Sequence, residues 1–417
     1  MKTINKKPRI EVMIMTLIFL TLSSLGLTAE LKKVPEVFRG QDNQSKIEIN
    51  YDDLSEILKL SVLDMGMSTR TRARKTTAKI GTRFKSKRKS YTAFEANRFL
   101  FENFDTANNK LVLTAIRESL ERVPDEVPMS MLNAKEQLAF WLNLYNVSLL
   151  EQLVAVYPKR NIEDLLYDNG IMDSKILEVS GMKLSLNDIH QNIILGKFST
   201  SPVVIYGLFQ GTIGGPNIRT KAYTGKSVIK DLQNNATEFI NSNRGTFEDK
   251  KGSLRVSSFY DTNRHLFPDF NKDLKKHLSL YINDKYAKHL QQAKRFKTTI
   301  KDMNIVSMSG GEREFSSSAA TNQAAFLASS GRPEVTGVQT HFDGVEFTTE
   351  NVGNLAGGGP GNAGFINPAA SITEEGYSAL TANFGRYSAQ QMELLKELNR
   401  KRKLKEGVIS VTEDKNN

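Results

Sequence analysis

Two apolar periods alternate along the chain, and the switch between them marks out its elements. Between Tyr51 and Leu63, the residues Leu54, Ile57, Leu58 and Val62 recur at mostly helical spacing, which predicts an amphipathic helix. The same reading predicts a helix over Phe104–Val123. A third helix is expected after Asn133, a natural N-cap, with Glu136 three residues on in a near capping-box arrangement. It runs through Leu138-Ala-Phe-Trp-Leu-Asn-Leu-Tyr-Asn-Val147 to about Val156 and stops near Pro158, which cannot continue the backbone ladder. This stretch sets the only tryptophan and two amides, Asn143 and Asn146, in apolar company. A buried amide without partners costs roughly 1–3 kcal/mol, so these side chains either fix a local architecture or line a pocket.

The pattern then shortens. Ile176-Leu-Glu-Val, a Ser180-Gly181 turn signal and Met182-Lys-Leu-Ser predict a hairpin within Lys175–Leu186. Asn187 and Asp188 suit a helix start running toward Leu195, and another helix is expected from near Ser227. The β-branched run Pro202–Phe209 reads as a buried strand emptying into the glycine-bearing loop Gln210–Asn217. From Phe94 to about Ile300 helical and extended patterns mix, so the expected fold class is α+β: a single mixed helix and sheet domain with a flexible C-terminal extension.

The ends change that picture. Lys2, Lys6, Lys7 and Arg9 precede an uncharged run from Val12 to Leu27, the pattern of an export signal over residues 1–26. Its competitor is an uncleaved inner-membrane anchor over residues 12–29, whose length approaches the roughly 17–25 residues that span a bilayer. Residues 27–63 are then an N-terminal segment and 64–300 the main domain. Ser- and Ala-rich Ser316–Ser330 and Gly-rich Gly353–Gly364 make 301–385 a flexible extension. Residues 386–417 form a C-terminal helix and tail, with Met392, Leu395 and Leu398 on one face.

Charge points to the partner. The chain carries a formal net charge of +11, and ten Lys or Arg residues crowd a basic loop over 70–89. Lipid headgroups or acidic glycans are the natural counterparts of an exported basic protein, through a membrane-surface contact or an acidic envelope component. With only Phe84 and Tyr91 beside that run, no nucleic acid partner is expected. The chain has no cysteine, which excludes disulfides, thiolate metal sites and a cysteine nucleophile. His190, His265, His277, His289 and His341 lack close metal-ligand spacing, so neither a metal nor a cofactor is expected. His277 and His289 read as part of a Lys-rich helix surface.

Four stretches in order, Phe140-Trp-Leu-Asn-Leu-Tyr-Asn146, Leu184-Ser-Leu-Asn-Asp-Ile189, the glycine loop with Ile218-Arg219 and Tyr223-Thr224, and Leu254-Arg-Val-Ser-Ser-Phe-Tyr260, carry a resemblance. Over roughly Asp64–Leu280 the chain resembles the domain-of-unknown-function family 547 of bacteria and plants. It departs from the family pattern at telling places. Gln191 stands where the resemblance implies a histidine, Gln210 and Gly215 where it implies cysteines, and Val203 and Ile205 where it implies arginine and histidine.

What remains is a candidate ligand site of Asn143, Tyr145, Asn146, Gln191, Gln210, Gly211, Gly214, Gly215 and Arg219, with the amides of Gly211–Gly215 as an anion-binding nest. His190 and His265 are the candidate bases, the latter flanked by Asp261 and Asp269. Gly225-Lys226-Ser227 lacks the upstream glycine of a phosphate loop. The leading expectation is an exported, periplasmic or secreted protein that binds a small molecule or envelope component. A hydrolase or transferase using an oxygen or water nucleophile is the alternative, and an envelope scaffold is a third.

Overall fold

The computed structural model describes residues 34–72, 91–104, 107–167, 169–249 and 252–308, together with Arg386, Glu397 and Arg400. The longer helices begin with α1 (Asp52–Ser61), α2 (Ala107–Glu121), α3 (Ala134–Val156) and α4 (Val228–Ile240). Two more follow, α5 (Phe270–Ser279) and α6 (Asp284–Gln292). The strands are β1 (Val62–Leu63), β2 (Arg98–Phe99), β3 (Leu177–Val179), β4 (Met182–Leu184), β5 (Thr246–Glu248), β6 (Ser253–Ser257) and β7 (Arg295–Ile300). The fold is α+β, as the pattern predicts.

Helix α3 is the axis. Asn133 caps it by accepting from the backbone N–H groups of Lys135 and Glu136, and apolar residues on all sides bury most of its length. Glu136 does not close the capping box. Its Oε1 accepts the Ile49 N–H at 3.1 Å instead, while Gln137 Nε2 donates to the carbonyls of Gly40, Met129 and Leu132. Trp141 is wedged between the rings of Phe38 and Phe140, each 4.9 Å away. Residues 34–63 therefore share one core with α3: Val34, Phe38, Ile47, Ile49 and Tyr51 are all buried in it.

The β3–β4 hairpin forms as expected, with Ser180 at φ 50° and Gly181 at φ 71° making its tight turn. In the three-stranded sheet β6 is central, antiparallel to β5 and parallel to β7. The crossover from β6 to β7 contains α5 and α6.

Two expectations fail here. Pro202–Gly207 is a 3-10 helix, not a strand. A short continuous apolar run has no period that separates the two, and the proline at its first position is pre-set for helix. Tertiary amides then settle it, since Asn235 and Asn146 donate to the carbonyls of Tyr206 and Gly207. The boundary at 300/301 also moves. Residues 301–308 complete the core, with Ile305 and Val306 buried and the N–H groups of Ile213 and Gly214 donating to the carbonyls of Asn304 and Asp302. The export segment over 1–26, basic-loop residues 73–90, the 310–385 stretch and almost all of the C-terminal tail lie outside the described residues. No helix of the described residues is long and apolar enough to cross a membrane.

The two ends that are described are tied in. Arg70, first cation of the basic run, is a plug rather than a solvated charge: it donates to the carbonyls of Ile240, Asn241 and Thr246 and lies 3.8 Å over the Tyr286 ring. Arg386 is buried against α1, donating to both carboxylate oxygens of Asp53 at 2.7 Å.

Candidate functional site

The two amides of the tryptophan motif act as clamps. Asn143 donates to Tyr223 O at 2.8 Å and accepts Tyr223 N–H at 2.9 Å. Asn146 donates to Gly207 O at 3.0 Å and accepts Phe209 N–H at 3.1 Å. Each side chain thus completes both hydrogen-bonding groups of a neighbouring backbone stretch in the same way that a strand would. A narrow pocket between α1 and α3 touches both amides, with Leu54, Leu58, Arg219 and Tyr223. Arg219 is itself held by the Asp231 carboxylate at 2.7 Å.

The glycine loop is spent in a similar fashion. Among its amides, Ile213 and Gly214 donate to residues 304 and 302, and Gly215 donates to Thr212 O. Three of the five amides of the expected Gly211–Gly215 nest therefore already have acceptors. Gly211 adopts φ +72°, a left-handed conformation that favours glycine, with the Leu153 side chain packed against it. Gly215 packs on Gln210, where an added Cβ would lie 2.8 Å from Gln210 Cβ. Beneath the loop lies Arg244, fully buried, which donates to Gly215 O at 3.0 Å, Asn217 Oδ1 at 2.8 Å and Glu238 Oε1 at 2.8 Å.

The histidine candidates occupy one neighbourhood. Residues Asp188–Ile194 form a π-helical turn, a rare geometry that recurs at functional sites. Asp188 anchors it by accepting from the N–H and hydroxyl of Ser185. The turn buries His190 and leaves Gln191 half-buried. Asn263 Nδ2 donates to Phe259 O at 2.9 Å, which leaves its Oδ1 to accept from His190 Nε2 at 3.1 Å. His190 Nδ1 then accepts from Gln191 Nε2 at 3.4 Å. Burial, together with the nearby His265, pushes the His190 imidazole down to about 4, so it is neutral at physiological pH. The Tyr145 ring stands edge-on to it, 6.4 Å between centroids. His265 is exposed on the surface side. Its flanking carboxylates do other work: Asp261 pairs with Arg264, and Asp269 caps α5.

Sequence patterning missed a second buried polar chain. His277, expected on an exposed Lys-rich face, points into the core and meets Tyr206 Oη through Nε2 at 2.9 Å, while Tyr206 and Tyr260 hydroxyls lie 3.0 Å apart. Burial lowers His277 to about 4 and raises the tyrosines. The available signal was the apolar spacing of Phe270, Leu274 and Leu278 on α5, which places residue 277 beside the buried stripe. His289 does lie outward, 2.9 Å from Glu248. Among the described residues no cluster of three or more His, Asp or Glu is arranged to hold a metal.

Residues 129–240 match the model of the family described as a protein of unknown function, DUF547. The matched segment starts just ahead of α3 and ends with α4, enclosing both clamping amides, the π-turn and the glycine loop. It confirms the resemblance to family 547 over that stretch; the Leu254–Tyr260 motif lies beyond it. No curated protein and no solved structure matches the chain.

Proposed function

We propose that this chain, whose family-547 segment forms the centre of its fold, acts by binding a component of the cell envelope rather than by turning it over. The observation that carries the reading is the setting of His190. Both of its ring nitrogens face side-chain amides, Asn263 and Gln191, and its proton affinity is far below that of a base working near neutral pH. A nucleophilic pair needs an imidazole against a hydroxyl or thiol, and here amides hold that place. The Asn143 and Asn146 clamps and the engaged glycine-loop amides fit the same reading, since each builds architecture.

The place of action we infer is outside the cytoplasmic membrane, on the strength of the basic Lys2–Arg9 stretch and the uncharged Val12–Leu27 run. The mass of the chain recovered from fractionated cells checks this: a mature form starting near Leu27 is expected, and a full-length soluble chain in the cytosol defeats it.

The binding reading is tested by incubating the full chain with envelope saccharides and lipid headgroups. A ligand of the native state raises the melting midpoint and is recovered chemically unchanged by mass spectrometry. Conversion of the compound, lost in His190→Asn, would replace the binding reading with the hydrolase or transferase.

A further inference from the structure

Away from the family motif, an open cleft of about 640 Å³ separates the first turns of α5 from the end of α6 and the start of β7. Its floor is Ala293, buried, and Phe296, half-buried. Lys275 is fixed across it, with Nζ donating to Gln291 O at 2.6 Å and Ala293 O at 3.2 Å. An ammonium has three N–H donors, so one remains, and the charge is held in place by backbone that cannot neutralise it. Lys272 and Lys294 stand on opposite walls, exposed, and neither forms a salt bridge among the described residues. Asn271 is oriented by accepting the Phe296 N–H at 3.1 Å, which leaves its Nδ2 as a donor. Gln291 and Gln292 add two exposed amides. The single acid in the lining, Asp269, is occupied as the α5 cap, accepting Lys272 N–H.

We infer that this cleft is a binding site for an anionic saccharide. Three ammonium groups around a cavity of this size select a ligand carrying negative charge. Side-chain amides that can both donate and accept suit a ring bearing several hydroxyls, and a half-exposed phenyl face suits the C–H face of such a ring. A bare inorganic anion would use the lysines alone. The inference rests on the reading of this chain as a binding protein and names the ligand class and its location, in a region outside the matched family segment.

The probe is trigalacturonate, titrated calorimetrically into the full chain beside its uncharged methyl ester and inorganic phosphate. Saturable binding of the acid, weakened by added salt and weaker for both comparison compounds, is expected. Lys272→Glu with Lys294→Glu should reduce affinity by about tenfold or more while leaving the melting midpoint in place, since both side chains are exposed and unpaired. Phosphate binding as tightly as the saccharide would overturn the inference, as would failure of the wild-type chain to bind the saccharide. Binding that ignores the double reversal would move the site elsewhere and leave the binding reading standing, whereas chemical conversion of the probe would remove that reading.

Discussion

The tryptophan motif and the α5–α6 cleft hold similar side chains put to opposite uses. In the motif, Asn143 and Asn146 are buried and turn both ends of each amide toward backbone. In the cleft, Asn271, Gln291 and Gln292 are exposed, with lysines that form no salt bridge among the described residues. A buried amide is retained because removing it strands the groups it serves, whereas an exposed one exchanges water for ligand at little cost to the fold. The conspicuous motif is thus architecture, and the recognition surface is built from residues that attract no notice in the chain.

The comparison breaks most visibly at Arg244. Arg244 also lies 3.7 Å from the buried Glu95 carboxylate, so Arg244→Met leaves Glu95 and the largely buried Glu238 without their cation and frees the glycine loop, and denaturant unfolding should show a loss of about 3–5 kcal/mol. Retained stability would mean that the loop stands without its support.

Acid tests the buried imidazoles. Above pH 6.5 His190 and His277 are neutral both folded and unfolded. Between 6.5 and about 4 the unfolded chain takes up protons that the folded chain refuses, so stability falls as pH falls, by up to about 3 kcal/mol for each ring. Glu136 runs the other way. Burial raises its carboxyl to about 7 from 4.5, so its contribution is present at low pH and lost as pH rises through that window. Burial raises the carboxyls of Glu95 and Glu121 in the same direction, so the readout is a difference between proteins: from pH 7 down to 4.5 the midpoint of His277→Phe should fall less than that of the wild-type chain. A slope indifferent to that change would place the proton uptake elsewhere.

Asn143→Ala should cost about 2–4 kcal/mol, because two backbone groups of Tyr223 lose their partners. A stable variant that had lost ligand binding would instead make this amide part of a recognition surface. The smallest expected effect on the fold is that of Lys272→Glu with Lys294→Glu, within about 0.5 kcal/mol; in the same protein it should produce the loss of saccharide affinity, which keeps the two regions distinct.

Much of the fold was legible wherever one period ran long enough. Helix α3, with its Asn133 cap and its end near Pro158, follows from local pattern, and so does the β3–β4 hairpin with its Ser180-Gly181 turn. The 3-10 course of Pro202–Gly207 was not legible, because a buried run of uniform apolarity is compatible with either state until distant amides choose. The site was legible in part. The residue types at Asn143, Asn146, His190 and the glycine loop mark them as candidates, but their roles depend on partners such as Tyr223, Asn263 and Asp302, which are remote in sequence. His277 was misplaced because its lysine neighbours hide a buried stripe.

By itself the amino-acid sequence determined the α+β class, the caps and turns of its elements, the exclusion of thiol chemistry and the resemblance to family 547, because these depend on residue type and short-range spacing. Only the tertiary structure decided that the motif amides are clamps, that residues 34–63 and 301–308 complete one core, that half-buried Arg70 and buried Arg386 are anchors, and that three lysines face one cleft. Those facts are pairings across long stretches of chain, and which polar group meets which is set by the packing of the whole core rather than by any local preference.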